Sequence, residues 1–275
     1  MLRRLELLIG VAFCLCVSTA AFAQSELRDT LQRQGVPLDS RGAQGAFDES
    51  VTPTIPVTPG SFAVPLAMLA TSEGRDRVEA AYAFGVLAGR SAKAAAPADL
   101  AAATTSLIQM MTSTDRRTRV AGARVAGRVL AAPLDSVPAV PPQALVDAAF
   151  TVLNQDSEVE QLAAMDALGL MRVTAAVTSL TERYTFYRGA GRRSLAGGAL
   201  EALARIGDPS TVGIVRQVAN DIWAGGDDAT ALAVMFARER MLRDGSMIAL
   251  QQALNDKSRR VQARGYLIEL GVPMP

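Results

Sequence analysis

The chain has 275 residues, of which 49% are hydrophobic and only 5% aromatic, and its formal net charge is +1. That content allows a large core built from Ala, Leu, Val and Met. Ala, Leu, Met and Arg form helices readily, whereas strands prefer β-branched and aromatic residues, so the composition predicts an all-α protein. The near-balanced charge argues against nucleic-acid binding driven by overall basicity, and the complete absence of histidine excludes Ser/His/Asp triads, Cys/His dyads and histidine metal sites.

The N-terminus opens with Arg3 and Arg4, runs through apolar residues 7–17 and reaches Ala21, Phe22 and Ala23 before Gln24. A short basic segment, a medium apolar core and an A-x-A end form the pattern of a cleaved secretory signal, predicted over residues 1–23. The alternative is an uncleaved membrane anchor over residues 7–23, at the lower edge of spanning length. The expected location is therefore periplasmic or extracellular, with no stable membrane insertion after cleavage. Cys14 and Cys16 are the only cysteines and both lie in the segment. Phe13 and Leu15, which precede them, are not the small residues a lipid-attachment signal requires. Cleavage leaves a neutral chain without cysteine, so neither thiolate catalysis, a thiolate metal site nor a disulfide is available to it.

Residues 24–61 carry a short helical piece at 26–34, then Gly, Asp, Ser and Thr, then Pro53, Pro56 and Pro59. Prolines at that spacing favour extended chain, so this segment is predicted to be an arm or linker, or a strap along the first helices. Periodicity begins at Phe62. Helices are predicted in pairs: 62–71 with 75–89, 98–112 with 115–130, and 142–154 with 156–172. Three further pairs follow: 174–187 with 192–207, a segment after Gly207 with 228–243, and 247–255 with 257–271. In the first three pairs Gly85, Gly127 and Gly169 recur every 42 residues in the second helix. Each glycine costs about 1 kcal/mol of helix propensity relative to Ala, which points to close packing at those positions.

Asp115, Asp156, Asp227 and Asp256 each precede a second helix, where a carboxylate can accept bonds from first-turn amides. Gly207, Asp208 and Pro209 stop one helix and start another. The proline-rich connection 133–142 is expected to project as a surface loop, and the polar terminal pair, with Gln251, Gln252, Arg259, Gln262 and Arg264, to act as an end cap. Trp223 is expected in core or edge packing.

The stretches DSEVEQLAAMDALGLMR (156–172) and ALEALARIGDPSTVGIVRQ (199–217) resemble HEAT repeats, and specifically the short HEAT-like type first described in phycobilisome lyases. The resemblance covers residues 62–275 and implies an α-solenoid of about six stacked antiparallel helix pairs. Units of that family often carry Val followed by Arg at the start of the second helix. Here the order is inverted, as Arg77 then Val78, Arg119 then Val120, and Arg260 then Val261.

No catalytic constellation or cofactor motif is present. The acidic groups Asp156, Glu158 and Glu160, and Asp227 with Asp228, sit at predicted helix starts and read as capping. Binding candidates are arginine-rich. Arg119 and Arg124, beside Arg116, Arg117 and Arg128, belong to one second helix, and Arg192 and Arg193 begin another. A solenoid lined by second helices would gather them into a basic stripe for an acidic peptide, phosphate or other polyanion, unless they pair with Asp and Glu on a solvated face. The segment RYTFYR (183–188) pairs Arg183 with Tyr187 and Tyr184 with Arg188 at helical spacing, a composition typical of binding hot spots, with core packing of Tyr184 or Phe186 as the competing reading. The leading expectation is a noncatalytic scaffold that binds another protein in the cell envelope. The alternatives are a binder of a polyanion or cell-wall glycan, and a lyase-like enzyme, which lacks the usual histidine and cysteine.

Overall fold

The computed structural model describes residues 59–90, 96–131, 134, 136–218 and 229–273. The expectations for the secretory signal, both cysteines, most of the arm, Asp227, Asp228 and Trp223 lie outside those residues. The described chain is all-α: twelve α-helices and no strand. They are α1 Ala63–Thr71, α2 Gly74–Arg90, α3 Pro97–Met111, α4 Arg116–Val129, α5 Gln143–Leu153 and α6 Glu158–Leu170. Beyond them lie α7 Val177–Gly189, α8 Arg193–Ile206, α9 Val212–Val218, α10 Ala229–Leu242, α11 Met247–Ala253 and α12 Arg260–Glu269.

Consecutive helices form six hairpins that stack in chain order. The second helices α2, α4, α6, α8 and α10 pack side by side as one layer, with α12 at its end, while α1, α3 and α5 neighbour one another on the outside. A solenoid of this kind buries apolar surface that no single hairpin could cover. Its core is small-residue rich: Ala163, Ala164, Ala167 and Leu168 of α6 are all essentially inaccessible, as are Ala199, Ala202, Leu203 and Ala204 of α8. Larger groups fill the ends, with Phe62 and Phe84 edge to face at 5.5 Å in the first pair.

Two of the three recurring glycines, Gly127 and Gly169, have the packing reason that the sequence suggested. A Cβ added at Gly127 of α4 would stand 2.8 Å from the Cα of Ala167 in α6, and one at Gly169 of α6 would stand 2.8 Å from the Cα of Ala202 in α8. Both obstacles are backbone, which a rotamer change cannot clear. Late residues of α4 thus meet late residues of α6, and these second helices run parallel.

The turns are built locally. Asp115 accepts from the Thr118 amide at 2.8 Å and from its hydroxyl at 2.6 Å, capping α4 as expected. Among the described residues a D-x-S turn occurs three times: in each, one carboxylate oxygen of Asp208, Asp244 or Asp256 takes both the amide and the hydroxyl of the serine two residues on. Asp156 departs from the expectation. The N-cap of α6 is Ser157, with no side-chain bond, and Asp156 is exposed. Here Glu158 and Glu160 supply the favourable charge at the helix start instead.

The connection after α4 does not project freely. Leu134 packs against the core, its carbonyl accepts from Arg240 at the end of α10 at 2.9 Å, and the Ser136 carbonyl accepts from Arg172 at 2.6 Å. The two carbonyls are held from the ends of α10 and α6 because arginine side chains reach where the backbone cannot. Arg172 adopts φ of 54°, a left-handed position where glycine is usual. Between these ties the segment lies on the surface as expected, with Ser136, Ala139 and Pro142 exposed and Val137 and Val140 at 95% and 93% exposure. No described helix is long and apolar enough to cross a membrane.

Candidate functional site

Helix α7 carries RYTFYR, and its phase is set by Leu180, Tyr184 and Tyr187, spaced four and three apart, all of which are buried. Ser179, Glu182, Arg183 and Phe186 lie along one flank of that buried stripe, Glu182 and Phe186 exposed and Ser179 and Arg183 half-buried. They line an open groove of about 330 Å³ that is completed by Gln161 at the start of α6, the edge of Tyr187, and Arg192 in the turn to α8.

A relay of hydrogen bonds fixes the floor. Arg183 donates to Asn154 Oδ1 at 2.6 Å and to the Tyr187 hydroxyl at 3.0 Å. Tyr187 in turn donates to Gln161 Oε1 at 3.1 Å, and the Gln161 amide donates to the Gln155 carbonyl at 2.7 Å. The buried hydroxyl and amide are thereby satisfied, as burial demands. Phe186 stands edge to face against Tyr187 at 5.7 Å and is nevertheless 64% exposed. Gly191, with φ of 70°, lets the chain turn sharply after α7 and places Arg192 at the mouth of the groove.

The groove gathers three of the eight residues expected to bind: Arg183, Tyr187 and Arg192. Tyr184 is buried in the core, which removes it from the face it was expected to share with exposed Arg188. The aromatic ring open to solvent is Phe186 instead. Arg193, half-buried, begins α8 without lining the groove.

Of the stripe expected on α4, Arg116 and Arg117 are exposed, but Arg119 and Arg124 do not stand open. Arg119 donates to Glu160 of α6 at 2.6 Å and to the carbonyls of Ser113 and Thr114 at 2.8 Å each, with both ion-pair partners largely buried. Arg124 hydrogen-bonds Tyr82 of α2; burial pushes that phenol's pKa up, and Arg124 opposes the shift. These two arginines tie neighbouring second helices together, much as the inverted Arg-Val order permits.

A second polar cluster went unnoticed in the sequence. Arg205, near the end of α8, grips Glu269 of α12 through Nε at 2.7 Å and Nη2 at 2.8 Å, and Asp166 of α6 through Nη1 at 2.7 Å. It also pairs with Glu201 one turn earlier. Glu201 accepts from the Tyr266 hydroxyl at 2.8 Å, and Tyr266 stacks on Phe236 at 4.6 Å beneath the guanidinium. Burial raises the Glu201 carboxyl pKa, against the pull of Arg205. Burial disfavours the Arg205 charge, but Glu201, Glu269 and Asp166 overcome that and hold it firmly protonated. All three carboxylates bond to one cation, so the cluster is a structural node. The one sequence signal was the four-residue spacing of Glu201 and Arg205. Among the described residues no group of three Asp or Glu is arranged to hold a metal ion.

No model of a known protein family matches this chain, and no protein of curated function matches its sequence. The α7 groove, where three of the expected binding residues converge on an open concavity, carries the functional reading.

Proposed function

We propose that this protein is a noncatalytic, exported solenoid of HEAT-like type that binds another protein in the cell envelope through the groove along α7. The observation that carries the reading is Phe186, a large apolar ring left 64% exposed beside a concave surface yet held in place by buried Tyr187. An aromatic group fixed before contact loses little freedom when it is covered, which is the character of an interface anchor. Export rests on the basic, apolar and A-x-A pattern of residues 1–23. The HEAT-like kinship rests on the quoted repeats together with the stacked hairpins. Arg119 and Arg124 are spent inside the stack, which favours protein recognition over a polyanion-binding stripe.

The test is a photo-crosslinking residue at position 186 in the native cell envelope, with the same residue at exposed Thr151 as control. A discrete adduct from position 186 alone, retained at several-fold higher salt, supports a protein-binding groove. Equal labelling from both positions, or none from 186, overturns it.

A further inference from the structure

Among the described residues, no hydrogen bond or ion pair engages the side chains of Ser179, Glu182 or Arg192, although all three border the groove. Beside them the Arg183–Tyr187–Gln161 relay is hydrogen-bonded along the floor. The groove therefore has a base held by internal bonds and a rim of unused groups in a defined order: hydroxyl, carboxylate, aromatic ring, guanidinium. Ser179 and Phe186 are seven residues apart on one helix, about 10 Å along its axis. An extended chain advances about 3.3 Å per residue, so the rim measures off roughly three residues of a partner.

From this order we infer that the groove takes a short extended segment of a partner protein in which a large apolar residue is followed by an acidic one. The apolar side chain covers the open face of Phe186. The carboxylate meets Arg192 at the mouth, where a planar guanidinium can take both its oxygens. A backbone amide or a donor side chain preceding the apolar residue reaches Glu182. Charge complementarity sets the direction of the segment: reversal would bring its carboxylate to Glu182 and leave Arg192 unanswered. A simple polyanion supplies the contact with Arg192 and forgoes the one with Phe186. The inference rests on the protein-binding reading above and adds the chemistry of the partner.

The experiment uses the whole purified chain and fluorescent capped pentapeptides read by anisotropy. The probe is Ala-Ala-Leu-Asp-Ala, with versions carrying Asn for Asp, Ala for Leu, or Lys for Asp. Saturable binding of the Leu-Asp peptide is expected, with the Asn and Ala versions each about tenfold weaker, as for loss of one charge-assisted or one apolar contact. Arg192→Glu is expected to lose the Leu-Asp peptide and gain the Leu-Lys peptide. Phe186→Ala is expected to erase the difference between the Leu and Ala versions. Both positions are exposed, and circular dichroism checks that the fold is kept. Polyphosphate that displaces the peptide while Leu and Ala versions bind alike overturns the inference in favour of a polyanion. Failure of every peptide, with crosslinking from position 186 intact, overturns the partner chemistry alone; failure of both removes the groove as a binding site.

Discussion

Arg205 and Glu269, 64 residues apart, meet through two parallel hydrogen bonds of 2.7 and 2.8 Å, joining the fourth hairpin to the sixth across the fifth. In a repeat stack most contacts are between nearest neighbours. This one skips a neighbour. Arg205→Met would leave Asp166, Glu201 and Glu269 without their common cation, and the expected loss is about 3 to 5 kcal/mol, as for breaking a buried pair from one side. Chemical denaturation measures it. Arg205→Lys should recover only part, because an ammonium cannot grip two oxygens in a plane.

The glycine seams give a contrast within one residue type. Gly127→Ala and Gly169→Ala improve helix propensity but force a methyl to 2.8 Å from a neighbouring Cα. Each is expected to destabilise by about 1 to 3 kcal/mol, the range for overpacking. Gly265 lies inside α12 with nothing within 4 Å of an added Cβ. Gly265→Ala should stabilise by up to about 1 kcal/mol. Thermal melts of the three variants side by side test the opposite signs.

Asp256 should titrate far below a free aspartate. Its carboxylate accepts from the Ser258 hydroxyl and amide and from Arg259, which lowers its pKa from an ordinary 3.8 to about 2. A folded pKa below the unfolded one means a stabilising contribution fully present above pH 4 and lost as pH falls through 2. Carbon-detected NMR of the side-chain carboxyl reads the titration directly. Asp256→Asn should remove this part of the acid sensitivity and leave the turns at Asp208 and Asp244 unaffected.

The connection after α4 is held by two side-chain bonds to its carbonyls, and its local order should depend on them. The double variant Arg172→Ala, Arg240→Ala is expected to speed amide exchange at residues 136–140. Each lost bond should lower global stability by only about 0.5 to 1.5 kcal/mol. Exchange mass spectrometry alongside a melt separates the local effect from the global one; equal protection in parent and variant would show that Leu134 packing alone holds the segment.

Much of the architecture could be read in advance because it is written in local patterns. The 42-residue recurrence of Gly85, Gly127 and Gly169 marks the repeat, and helix phase and turn residues are short-range signals. What escaped depends on partners distant in sequence. Asp115 and Asp156 look alike in the text, yet only Asp115 has a threonine three residues on to receive its bonds, and Asp156 has Val159 there. In RYTFYR two tyrosines and one phenylalanine compete for the buried phase. Tyr187 takes it because Gln161 and Arg183 satisfy its hydroxyl, a reason visible only once α6 lies beside α7. Arg205 reads as an ordinary helical residue until Asp166 and Glu269 arrive from two other units.

Long-range ties bind both edges of the stack, Arg119 to Glu160 at the starts of α4 and α6 and a larger set at the other end. Arg172, Arg205, Arg240 and Glu269 all lie at the C-terminal ends of their second helices, so that edge of the stack behaves like the bound spine of a book. The groove opens at the other edge, among Gln161 at the start of α6, Arg192 before α8 and the last turns of α7. Its wall is clasped as well, because Glu160, next to Gln161, holds Arg119 of the preceding hairpin.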